Sequence, residues 1–380
     1  MKLKLRHALM AGAAVVAFSG QAHADGHAVW ASKSKAKVAI TGQVQRAVVF
    51  VDDGDSQRVR HSEQGQSESG IDIKGSTPVN KDITASFHID MDVDTQQQNA
   101  DGTVSGGFGG EASGDINTPK VWAALAHKRL GKVAIGRNSA ASDGVAHTSL
   151  HGMYGFSAGL MTANLSDIGL RNTSDGTQSG TVVDGRISCC NGDPGGRSPM
   201  VRYDTPRIAG FAGAISHEDA GHVGFGANYG GSVGGLKIAL KAAWHHGDKD
   251  ANDGLAIGTA LLHSSGLTGG FNYTYTMDGV QALTNAVTTP DPDAHHWYAH
   301  VGYKTKFNEL GNTYIGGEWQ QDRDFGASGA EGNSVGVGFS QDVSSAAISF
   351  YAKYLHINVE EPNQSYEDIQ AVDTGIRMKF

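Results

Sequence analysis

Val372-Asp373-Thr374-Gly375-Ile376-Arg377-Met378-Lys379-Phe380 ends the chain and alternates without a break. One face carries Val372, Thr374, Ile376, Met378 and Phe380. The other carries Asp373, Gly375, Arg377 and Lys379. A period of two puts these sets on opposite sides of a β-strand. An apolar outer face, a charged inner face and a terminal aromatic suit the closing strand of a transmembrane β-barrel.

The opposite end supports export. Lys2, Lys4 and Arg6 form a positive region, Ala8 to Phe18 an apolar one, and Ala22-His23-Ala24 a small-x-small cleavage site. The apolar run is too short for a membrane-spanning helix. Residues 1–24 are expected to be a signal peptide, and 25–380 the mature β-barrel. No other segment has the ~18 uninterrupted apolar residues of a spanning helix. A mean hydropathy of −0.31 fits a barrel, in which only alternate residues touch lipid.

The 53 glycines and only 8 prolines suit an all-β chain with many turns. Without the expected signal, 27 basic residues face 39 acidic ones, a net −12. That balance disfavours a nucleic-acid partner, which wants a basic patch. The two cysteines, Cys189 and Cys190, are adjacent and make no disulfide framework. A vicinal disulfide, free thiols and intermolecular pairing all stay open.

Working back along the chain, the same alternation recurs. Ile83, Ala85, Phe87, Ile89, Met91 and Val93 alternate with Asp82, Thr84, Ser86, His88, Asp90, Asp92 and Asp94. That is long for a globular strand and right for a tilted crossing. Val38, Ile40, Val44, Val48 and Phe50 share one face of a first strand, with Thr41, Gln43 and Gln45 on the other. Arg46 has the outward register, at an interface or against a neighbouring subunit. Downstream, Leu236, Ile238, Leu240 and Trp244 alternate with Lys237 and Lys241. About sixteen strands are expected. Short turns such as Ser264–Gly266 and longer polar stretches such as Met277–Asp293 alternate between them, as periplasmic turns and outer loops do. A soluble β-sandwich would alternate too. The signal, the terminal Phe and the turn rhythm together favour the barrel.

Several segments resemble the general porins of Gram-negative outer membranes. They are Ile71-Asp72-Ile73-Lys74-Gly75-Ser76; Val121-Trp122-Ala123-Ala124-Leu125 with Gly131 to Arg137; Ser198 to Pro206 with Gly210-Phe211; and Phe380. The resemblance implies a sixteen-stranded transmembrane antiparallel barrel. It also implies a homotrimer, a third loop (about 138–197) folded inward, and passive diffusion of small hydrophilic solutes and ions. It makes Phe380 an assembly signal. Asp72, Lys74, Asp90, Asp92, Arg137, Asp143 and Arg202 are the expected pore-lining and constriction residues. Two departures stand out: the loop lacks a Pro-Glu-Phe-Gly-Gly-Asp type sequence, and Gly70 and Asp72 interrupt the basic wall.

Catalysis has little support. The pairs His245-His246 and His295-His296 point their members to opposite faces of a strand. No zinc spacing, nucleophile elbow or phosphate loop is present, and no cofactor is expected. A divalent cation on the Asp90/Asp92/Asp94 row is less favoured than a solvated lumen face. The expected function is a diffusion channel in the outer membrane, with lipid and small polar solutes as partners. The alternatives are an adhesive or structural barrel with a plugged lumen and, less favoured, a barrel enzyme. Asp72, Asp90, Asp92 and Asp143 against Lys74, Arg137 and Arg202 give the narrowing more carboxylates than bases, so a weak cation preference is expected.

Overall fold

The computed structural model describes residues 35–63, 65–93, 97–98, 104–105, 116–156, 160–247, 253–277 and 293–380. The expected signal peptide and Asp94 lie outside them. Sixteen antiparallel strands close into a barrel. In chain order these are β1 (Lys37–Asp52), β2 (Gln57–Ser62 and Gly70–Pro78), β3 (Ile83–Val93), β4 (Ile116–His127), β5 (Gly131–Ser139) and β6 (Arg197–Asp204). Then come β7 (Phe211–Glu218), β8 (Val223–Val233), β9 (Leu236–His246), β10 (Gly254–His263) and β11 (Leu267–Thr276). The last five are β12 (Ala294–Asn308), β13 (Gly311–Arg323), β14 (Glu331–Val343), β15 (Ile348–Glu361) and β16 (Ile369–Lys379). Each pairs with its sequence neighbour, and β16 returns to β1 from Gln43↔Lys379 to Asp52↔Gln370. Closure leaves no edge, which lipid demands because unpaired backbone groups there cost several kcal/mol each, roughly.

The seam is completed by the last residue. Phe380 N–H donates to Gly42 O at 3.0 Å, and Gly42 N–H donates to Phe380 O at 2.9 Å. The Phe380 ring lies where a Cβ on residue 42 would be, so the seam requires a glycine there.

The alternating apolar residues face outward. Val133 and Ile135 on β5, Leu255, Ile257 and Leu261 on β10, Val335, Val337 and Phe339 on β14, and Ile376 and Met378 on β16 are all exposed. Aromatic pairs such as Phe211–Tyr229 lie toward the short-turn end, and Tyr273–Trp297 toward the other. Such a band is what a barrel presents to lipid.

Strand β2 is broken. Its two halves flank residues 63–69, seven residues opposite only Val44–Arg46 of β1. Arg46 keeps the outward register, and its guanidinium turns into this gap to meet Glu63 at 3.0 Å. The Ser69 hydroxyl accepts from Gln45 N–H at 3.0 Å, filling part of the interrupted ladder.

Candidate functional site: the pore wall and its inner loop

Between β5 and β6 the chain leaves the barrel wall and folds into the lumen. The inward faces of β7 to β16, of β1 and of the first half of β2 receive it. At Gly226 and Gly258 an added Cβ would collide with the backbone of Ala141 and with Val145–Thr148, so bare backbone on the wall makes room for the loop. Inward-pointing cations then bind its carbonyls. Lys241 Nζ donates to Gly144 O (2.8 Å), Lys304 Nζ to His151 O, and Lys353 Nζ to Met161 O (3.0 Å). Arg60 grips Asp167 with two bonds of 2.6 and 2.7 Å, and Asn164 donates to Asp373. Arg186 pairs with Glu361, and Arg171 with Asp53.

An apolar core sits inside the lumen. Met161, Leu165, Ile168, Leu170, Val183 and Ile187 of the loop pack on Val49 and Val51 of β1, Leu355, Ile357 and Val359 of β15, and Ile369 and Ala371 of β16. Those inward valines and leucines are a wall for protein, not for water.

Loop groups are tuned by burial. Asp193 accepts from Gly144 and Ala146 N–H, and burial, with Asp143 adding to it, pushes its carboxyl up to about 6. His151 stacks on Tyr314 at 4.7 Å with His300 edge-on, and burial lowers it to about 3. Cys189 and Cys190 place their sulfurs 3.0 Å apart, and the hydrogen bond to Cys190 together with burial raises Cys189 far above the ordinary thiol range.

The rest of the inner wall, from the second half of β2 to β6, is different. Its polar side chains pair with one another and keep contact with water. Lys74 lies 3.0 Å from Asp72, Lys120 3.3 Å from Asp90, and Lys132 3.2 Å from Asp204. Their exposures run from 18% to 33%, whereas Lys353 and Glu318 on the covered side are at 0%. His88 Nε2 meets Asp72 Oδ1, and Trp122 packs edge-on against the His88 ring. Asp92 lies against Glu68, with Asp90 and Arg197 near.

Asp72, Lys74, Asp90 and Asp92 thus lie on one inward patch. Arg202 is inward too, but it is spent on Asp204 and on the carbonyls of Ser139 and Ala140, where the loop begins. Asp143 is in the loop beside Asp193 and Lys241, among other partners than the Asp72 patch. Arg137 corrects the reading. It shares the register of Val133 and Ile135 and is exposed on the outer face, because β5 starts inward at Lys132. Phe380 is at the seam. Sequence reasoning did not single out His88, Glu68 or Lys120. His88 carried a signal, since it falls in the same polar set as Asp90 and Asp92. Glu68, in the insert that breaks β2, carried none.

A closed barrel of this strand number, with a greasy exterior, a water-contacting charged wall and an inward loop, defines a membrane pore. The Gram-negative porin family model matches residues 11–362, and the chain belongs to that family. No curated protein sequence matches it. Among solved structures, an anion-selective porin from Comamonas acidovorans superposes with a TM-score of 0.58 at 14% identity, over 91% of this chain and 100% of that one. OmpF of Salmonella typhi, in complex with daunomycin, gives 0.58 at 14% identity, over 90% and 98%. The trimer form of OmpT, an outer membrane protein of Vibrio cholerae, gives 0.57 at 12% identity, over 91% and 99%. At these identities the likeness is one of fold. Family and fold together make this chain an outer-membrane diffusion channel.

Proposed function

We propose that small hydrophilic solutes and ions pass along the wall from the second half of β2 to β6, that the protein works as a homotrimer, and that it catalyses no reaction. The observation that carries this is the one-sidedness of the lumen. The loop docks on the wall from β7 round to β1 and the first half of β2, whereas the ion pairs Lys74–Asp72, Lys120–Asp90 and Lys132–Asp204 on the remaining strands stay partly exposed. The trimer form of the Vibrio cholerae protein and the family resemblance support the oligomer.

A weak cation preference follows from the patch. The carboxyl groups of Glu68, Asp72, Asp90 and Asp92 gather beside Lys74 and Lys120, with Arg197 near Asp92 and a hydrogen bond between Glu68 and Asp92. An ion feels these charges rather than the distant net charge, since screening acts over ~8 Å at physiological salt. The outward placement of Arg137 removes one base from the expected wall. Bilayer recording of the purified protein tests the reading: stepwise conductance supports it, and a silent, correctly folded protein would favour a plugged, adhesive barrel.

A further inference from the structure

The patch contains one arrangement that diffusion does not require. Asp72 on β2 and Asp90 on β3 are direct cross-strand partners on the inward face. Like charges directly opposite destabilise a sheet unless something offsets them. His88, one inward position from Asp90 on the same strand, brings Nε2 to Asp72. One ligand atom from each of Asp72, His88 and Asp90 lies within 4.8 Å of the other two, the group of this kind among the described residues.

We infer that Asp72, His88 and Asp90 bind a divalent transition-metal cation of the zinc type on the pore wall. Two carboxylates and one imidazole are a borderline donor set, suited to zinc, manganese, cobalt or nickel and poorly suited to calcium or magnesium. The imidazole is already oriented. His88 is 5% exposed and its ring is held edge-on by Trp122 at 5.6 Å. Carboxylate and imidazole atoms on one zinc ion sit ~2.0–2.2 Å from the metal, so the ion would replace the hydrogen bond by which His88 and Asp72 meet, those two donors parting to admit it. Asp72 and Asp90 remain 33% and 18% exposed, which leaves the metal a side open to water. Lys74 and Lys120 hold these carboxylates in the metal-free state and compete with the cation. A bound dication adds positive charge where permeating cations pass, so it lowers cation current.

This inference rests on the pore reading for its consequence, though not for its binding. Isothermal titration of ZnCl2 into the folded, detergent-solubilised protein measures the site directly, with MgCl2 as control. Expected is one tight zinc site per protomer, weakened at least about tenfold in both His88→Gln and Asp90→Asn, and tightened in Lys74→Met. The last variant keeps the three donors, and a merely structural role for the cluster would not improve binding when a lysine is removed. Titrations that are unchanged by His88→Gln and Asp90→Asn, the other histidines accounting for the binding, would overturn the site. So would weaker binding in Lys74→Met. In planar bilayers, micromolar zinc is expected to lower the cation preference of the wild type but not of His88→Gln. Conductance steps that zinc leaves untouched overturn the gating consequence alone, whereas absence of any steps overturns the pore reading.

Discussion

The two sides of the inner wall use the same residue types for opposite purposes. On the covered side Lys353 is fully buried, bonded to Met161 O and paired with Glu318, which also accepts from Tyr298 Oη at 2.9 Å. On the open side Lys74, Lys120 and Lys132 sit at 23–28% exposure beside single carboxylates. The first group organises a loop, and the second sets the electrostatics seen by a passing ion. Burial, not charge, separates them: a desolvated cation must have every partner in place, while a wet one is held loosely and screened.

The largest expected effect comes from breaking the covered side. Lys353→Ala strands Glu318 without its cation and frees the Met161 carbonyl, and it should cost about 3–5 kcal/mol of stability. Lys120→Ala on the open side should cost under about 1 kcal/mol. Denaturant or thermal unfolding in one detergent compares them. Equal losses would erase the distinction between the two walls.

A second test forces the loop off its wall. Gly226→Val puts a side chain into Ala141 on the covered side, where overpacking is costly. Single-channel conductance should fall as the loop is pushed from its wall toward the open passage. At the seam, Gly42→Val meets the Phe380 ring and should lower the yield of folded barrel, as deletion of Phe380 should. Heat-modifiable mobility on gels reads both.

Much of this was legible beforehand because lipid imposes a rule on every second residue. Strand β9, Leu236–His246, follows the alternation of Leu236, Ile238, Leu240 and Trp244 with Lys237 and Lys241. The inner loop obeys no period. Its docking depends on pairs far apart in sequence, such as Arg60 with Asp167 and Asn164 with Asp373, and on missing side chains at Gly226 and Gly258. Val49 and Val51 looked like ordinary strand residues, and only the loop explains an apolar stripe facing inward. Arg137 was misplaced by a resemblance to a basic ladder, although the parity of Val133 and Ile135 assigns it outward.

Loop docking should respond to pH through two groups of opposite sign. Asp193, raised from its ordinary 3.8 to about 6, contributes stability below pH 3.8 that is lost as pH rises through 6. His151, lowered from 6.5 to about 3, contributes stability above pH 6.5 that is lost as pH falls toward 3. The two oppose each other between about pH 4 and 6, so the wild type should be nearly flat there. His151→Asn should weaken docking as pH rises across that window, and Asp193→Asn should strengthen it. Limited proteolysis of the loop at each pH gives the readout.

The smallest effect is the most direct test of the claim that permeation follows the open wall. The zero-current potential in a salt gradient should show a weak cation preference in the wild type. Asp72→Asn with Asp90→Asn should move it toward anions, and Arg137→Gln, on the outer face, should leave it in place. A potential unmoved by the double substitution, or one moved as far by Arg137→Gln, would contradict the assignment of the pore to the wall from β2 to β6.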